Sequence, residues 1–152
     1  LADKLEVRHQ VGACSVENVT ALYRDYGVDI STESAVKIIE FIDDMAEAYA
    51  WADHVICGSG ALTVCELAAV GTPAIFVPFQ HKDRQQYLNA TYLANAGAAK
   101  IVEQAELSAE ILVNLVADLD RDKLLAMAVK AKAMSTPLSA QRVAQVIIEN
   151  AK

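Results

Sequence analysis

A chain of 152 residues with 54% hydrophobic side chains can bury one full core, so a single globular domain is the expectation and a disordered class is excluded. Its formal net charge of -7 and sequence pI near 4.9, with no large Lys/Arg cluster, exclude nucleic acid as a partner. Apolar runs break well before the ~18 residues of a membrane span and no signal segment opens the chain, so a soluble, unexported protein is expected.

In chain order, Leu5 to Gly12 alternates like a strand, and Ser15 to Gly27 has an N-cap serine, helical spacing and a terminating glycine. Ala35 to Phe41 reads as a second strand, Asp43 to Ala52 as a short helix capped by aspartate, and His54 to Gly58 as a third strand. A helix follows from Ala61 to its stop at Gly71. Pro73 to Phe79 is then a strand too apolar to face water on either side. Asp83 to Gly97 is helical and Ala98 to Val102 is the last strand. Beyond Leu107 the pattern is wholly helical, over Ser108 to Leu119, Asp120 to Met134 and Ser139 to Lys152.

Strict alternation with short connections predicts an α/β fold, a Rossmann-like parallel sheet with helices on both faces. Ligands of such folds sit beyond the carboxyl ends of the strands. The opening LADKL reads as the tail of a helix, so an earlier beta-alpha unit is expected before it. Cys14, Cys57 and Cys65 are odd in number and lack CxxC spacing, which predicts reduced thiols and no zinc site.

Gly58, Ser59 and Gly60 fall between a strand end and a helix start, where unpaired N–H groups and the helix dipole favour an anion. A tight turn of small residues explains the same tripeptide, and the G-x-G-x-x-G fingerprint is absent. On the following helix only Thr63 and Glu66 are polar, spaced i and i+3 on one face. A carboxylate among apolar neighbours gains from donors such as two vicinal ribose hydroxyls, and a solvated glutamate fits the spacing equally well. Gln85, Gln86 and Asn89 supply neutral amides that both donate and accept, suited to sugar hydroxyls or simply to a polar surface. His81 and Asp83 lack a nucleophile at suitable spacing. Neither they nor His9 and His54 are assigned to catalysis.

The segments GALTVCE (Gly60 to Glu66) and PFQHKDRQQYLNA (Pro78 to Ala90) resemble the donor half of the MurG family, the peptidoglycan N-acetylglucosaminyltransferases. The resemblance extends through HQVG (His9 to Gly12), EFIDDMAEAYAWAD (Glu40 to Asp53) and AGAAKIVEQ (Ala96 to Gln104), nearly the whole chain. It implies that residues 1–152 are the C-terminal, donor-nucleotide-binding half of a two-domain GT-B glycosyltransferase without its first beta-alpha unit. The helix over 138–152 would pack on the other domain. Implied too is a UDP-N-acetylglucosamine donor, with the Ile42 backbone on uracil and Phe41 and Met45 near it. Ala61, Leu62 and Thr63 would meet diphosphate or sugar through backbone and side chains, Ser59 beside them would belong to the substrate-binding set, and Glu66 would bind ribose. Gln85, Gln86 and Asn89 would contact N-acetylglucosamine and favour it over its C4 epimer.

The implied reaction is inverting transfer to lipid I, giving lipid II, at the cytoplasmic face of the bacterial inner membrane. The general base, the acceptor site and the membrane contact would belong to the other domain, so this chain alone would bind donor without turnover. No metal or other cofactor is implied. One departure stands out: the family commonly has arginine where this chain has Gly58, which removes a cation from near the diphosphate. Alternatives in keeping with the residues are a non-catalytic nucleotide-sugar binding domain and a different UDP-sugar transferase.

Overall fold

Every strand predicted from an apolar run forms, trimmed at its ends. The computed structural model describes residues 5–31 and 33–151. Their order is β1 (Val7–Gln10), α1 (Val16–Asp25), β2 (Val36–Ile39), α2 (Met45–Trp51), β3 (Val55–Cys57) and α3 (Ala61–Val70). There follow β4 (Ala74–Phe76), α4 (Gln85–Asn95), β5 (Ala99–Ile101), α5 (Ala109–Ala117), α6 (Arg121–Ala133) and α7 (Ser139–Asn150). The helix tail expected at LADKL falls on residues of which 1–4 lie outside those described.

The chain divides into two compact units, residues 1–48 and 49–152. In the first, β1 and β2 pair in parallel from Val7↔Val36 to Gln10↔Ile39, with α1 as the crossover. Helix α1 stops at Gly27, whose φ of +74 suits a residue without a Cβ. Arg8 and Glu47 form an ion pair at 2.7 Å.

In the second unit the three-stranded parallel sheet runs β3-β4-β5. Central β4 is wholly buried, with Ala74, Ile75 and Phe76 no more than 1% exposed, because a strand flanked on both sides in a parallel sheet has no wet face. Helix α3 packs against α4 and α6, and α4 against β5. Val64, Leu67, Ala68, Leu93, Met127 and Ala131 bring the apolar stripes of these helices into the core. The predicted parallel pairing thus holds in both units, as ladders of two and three strands joined through helices, which is the Rossmann-like arrangement expected.

Helix ends follow local chemistry. Ser108 accepts from the Ile111 N–H at 3.2 Å and Asp120 from the Lys123 N–H at 2.8 Å, each capping its helix. Ser15 stands at the N-cap of α1 but makes no side-chain cap bond. The aspartate cap expected for α2 is Asp44, which accepts from the Glu47 N–H at 2.9 Å. Helix α3 stops at Gly71, where the Gly71 and Thr72 N–H groups both reach the Leu67 carbonyl, at 2.8 and 3.0 Å. Lys132 of α6 donates to the Ala69 carbonyl at the same helix end.

Candidate functional site

Beyond the carboxyl end of β3, Gly60 begins α3 in an extended conformation, and no side chain caps the helix. Ala61, Leu62 and Thr63 form its first turn, where N–H groups lack intrahelical carbonyls and the dipole is positive. Leu62 is 78% exposed and Thr63 half-buried, whereas Val64, Leu67 and Ala68 face the core. The outward face of α3 therefore combines a helix N-terminus with Glu66, which is exposed.

Glu66 is not alone. The Tyr49 hydroxyl donates to its Oε2 at 3.2 Å. Burial, then the Glu66 charge and this hydrogen bond, push the Tyr49 phenol up to about 12, so it stays a donor across the physiological range. Tyr49 itself is 7% exposed, and its carbonyl accepts from the buried Thr72 hydroxyl at 3.2 Å. One carboxylate oxygen of Glu66 is thereby tied to a fixed group, and the other has no partner among the described residues.

Ser59, fully buried, is held through all its polar atoms by α4. Its N–H donates to Gln86 Oε1 at 3.1 Å, its hydroxyl to the Gln86 carbonyl at 2.8 Å, and its carbonyl accepts from Asn89 Nδ2 at 3.1 Å. The Ser59 side chain thus points into the protein. Gln86 Oε1 also accepts from the Phe79 N–H at 2.9 Å. Gln85, predicted beside Gln86, is exposed at the start of α4, its N–H bound to Asp83 Oδ1 at 3.0 Å.

Ser59, Ala61, Leu62, Thr63, Glu66, Gln85, Gln86 and Asn89 all belong to the second unit, and Phe41, Ile42 and Met45 to the first. Within the first unit Phe41 is 67% exposed, while Ile42 and Met45 are half-buried. The Ile42 N–H donates to Gln10 Oε1 at 3.1 Å, a partner that sequence reasoning missed. Tyr49 was missed as well, because it lies 17 positions before Glu66 on another helix.

A cavity of about 280 Å³ lies beyond β4 and β5, lined by Phe79, Gln80, His81, Arg84, Tyr87 and Glu103, among others. His81 Nδ1 and Asp83 Oδ1 are 3.0 Å apart and both exposed. The Gln85 N–H, then His81, hold the Asp83 carboxyl below its usual range. Arg84, at a φ of 51, stacks on the Tyr87 ring at 3.9 Å and pairs with Glu103 at 2.7 Å. The three cysteines are unpaired, and burial lifts the Cys57 thiol to about 11. No group of three or more His, Cys, Asp or Glu among the described residues could hold a metal ion, and no helix there is long and apolar enough to cross a membrane.

Residues 1–145 match the glycosyltransferase family 28 C-terminal domain. The chain is 73% identical, over 99% of its length, to the UDP-N-acetylglucosamine--N-acetylmuramyl-(pentapeptide) pyrophosphoryl-undecaprenol N-acetylglucosamine transferase of Mannheimia succiniciproducens. It is 69% identical over its whole length to the protein of the same name from Histophilus somni. It spans 42% of the length of each. Among solved structures, MurG of Acinetobacter baumannii matches 96% of the chain, and 45% of its own, at 40% identity and a TM-score of 0.84. The glycosyltransferase VinC in complex with dTDP shares the fold at 18% identity and a TM-score of 0.69, over 95% of this chain and 34% of its own.

Proposed function

The chain belongs to the glycosyltransferase family 28 C-terminal domain, and from that premise we propose that it is the UDP-N-acetylglucosamine-binding half of the transferase that converts lipid I to lipid II. The observation that carries this reading is the outward face of α3, an uncapped helix N-terminus with Glu66 one turn along and one carboxylate oxygen open. The first-turn N–H groups of Ala61, Leu62 and Thr63 suit a diphosphate, and the open Glu66 oxygen suits ribose hydroxyls. Gln85, Gln86 and Asn89 on α4 are assigned to the sugar, with Ser59 supporting the turn from inside. In the first unit the Ile42 backbone is assigned to the base, with Phe41 and Met45 beside it. Gln10 must then release the Ile42 N–H for the base to take it.

The lipid acceptor, the general base and contact with the cytoplasmic face of the bacterial inner membrane are assigned to the other domain of such an enzyme. Helix α7, which buries none of its side chains and exposes Val143, Val146, Ile147 and Ile148, is assigned to packing on that domain. The chain by itself binds donor and does not turn it over. A second reading, donor binding without transfer even beside a partner domain, rests on Gly58, which puts no cation next to the diphosphate site.

The test is a calorimetric titration of this chain with UDP-N-acetylglucosamine, UDP-N-acetylgalactosamine and a Glu66→Ala variant. We expect saturable binding that prefers the first donor and weakens about tenfold or more in the variant, the size of lost bonds to a charged acceptor. Equal affinity for the two sugars, or no loss in the variant, would refute the assignment of these residues.

A further inference from the structure

We propose that Gln86 is a positioning residue, its carboxamide oxygen latching the loops after β3 and β4 to helix α4, so that only its NH2 remains for a ligand. The inference rests on the donor-binding reading above for that ligand, but the latch itself rests on hydrogen bonds. Gln86 Oε1 takes the N–H groups of Ser59 at 3.1 Å and Phe79 at 2.9 Å, which belong to two different loops. Both partners are backbone donors, so the amide cannot flip without setting NH2 against N–H. Asn89 is fixed by the same logic. One N–H of its Nδ2 goes to the Ser59 carbonyl at 3.1 Å, which fixes Oδ1 on the other side and leaves it, with the second N–H, for a ligand.

With the Ser59 hydroxyl on the Gln86 carbonyl at 2.8 Å, a fully buried residue is tied to one helix through N–H, hydroxyl and carbonyl together. The fit is close. A Cβ on residue 58 would come within 3.2 Å of Gln86 Oε1, so a side chain there has to displace the carboxamide by a few tenths of an ångström. The turn that presents the first N–H groups of α3 is thus set by α4, and the two amides present donors and an acceptor in fixed orientation, the Gln86 NH2 and the Asn89 Oδ1. A hydroxyl-bearing ring is the chemistry that uses such a pair.

The experiment combines amide hydrogen exchange with titration, on the wild-type chain, Gln86→Leu and Gln86→Glu. In Gln86→Leu, protection of the Ser59 and Phe79 N–H groups should fall about tenfold, while that of Ile75 and Phe76 in buried β4, which report general unfolding, stays as it was. Gln86→Glu keeps an acceptor and should restore protection at both amides. It lacks the donor, so the ratio of UDP-N-acetylglucosamine to UDP affinity should still fall several-fold. Unchanged protection in Gln86→Leu, or failure of Gln86→Glu to restore it in a chain whose β4 amides are intact, would overturn the latch. A Gln86→Glu affinity ratio equal to wild type would overturn the role of the NH2. A wild-type chain that shows the exchange pattern but binds neither nucleotide would overturn the donor-binding reading and reduce the latch to a structural one.

Discussion

Tyr49 turns a surface glutamate into an oriented one. A free exposed carboxylate samples several rotamers and loses that freedom on binding, whereas Glu66 has one oxygen tethered to a buried phenol. Tyr49→Phe removes the tether and keeps the ring in the core. We expect donor affinity to weaken about fivefold with unfolding free energy changed by less than about 1 kcal/mol, measured by titration and by denaturant unfolding. Unaltered affinity would show that Glu66 needs no such support. Glu66 was legible in the sequence as the lone charge of an apolar helix, though its spacing fits a solvated side chain equally well. Tyr49 was not, since its partner is distant in sequence and its own neighbours make it look like an ordinary core aromatic. The amides were legible as polar groups near a strand end. Which atom of each carboxamide faces the protein was not, because that depends on which backbone groups meet it.

The two ends of helix α3 differ: one is closed by the protein and the other is not. Its C-terminus is closed by Gly71 at a φ of +90 and by Lys132, and its N-terminus is left open. Gly71→Ala strains a left-handed residue and brings a Cβ to 3.2 Å from Lys132 Cβ, so a loss of about 1–3 kcal/mol is expected. Gly60→Ala is the matched control. Its Cβ would meet only Thr63 Oγ1, at 3.7 Å, with a φ of -57, so less than about 1 kcal/mol is expected. Denaturant midpoints of the two variants check the contrast, and equal losses would mean that backbone strain at Gly71 is not what matters. Gly71 was readable as a helix stop, as were all five strands, because apolar runs bounded by Gly, Pro and charge leave few assignments. That an aspartate caps α2 was readable, but not which of Asp43 and Asp44 does so, since they differ only in which backbone N–H they can reach. The division of the strands into ladders of two and three was not legible either. Hydrophobic pattern names strands but not their neighbours.

Acid sensitivity is a property of the whole molecule, and His54 gives it a specific threshold. Burial holds the His54 imidazole below its ordinary value, and the Asp53 carboxylate only partly offsets this. A depressed folded-state value means that the folded chain binds the proton less readily than the unfolded one. The stability that His54 contributes is therefore complete above about pH 6.5 and is lost as pH falls through the lower folded value. Asp29, Asp83 and Asp118 are also depressed, by hydrogen bonds to Ser31, Gln85 and Lys123 respectively. Their share is lost only below about pH 4, so the two stages separate. Trp51 is the one tryptophan of the chain and lies in the same unit as His54, which makes its fluorescence a direct probe. The urea midpoint of the wild-type chain should fall between pH 7 and pH 5.5 by more than that of His54→Gln, because the variant has no imidazole to charge at that site. Equal falls in the two proteins would place the early acid loss elsewhere, and a larger fall in the variant would mean that the charged imidazole is favoured by the fold, against the sign set by its burial.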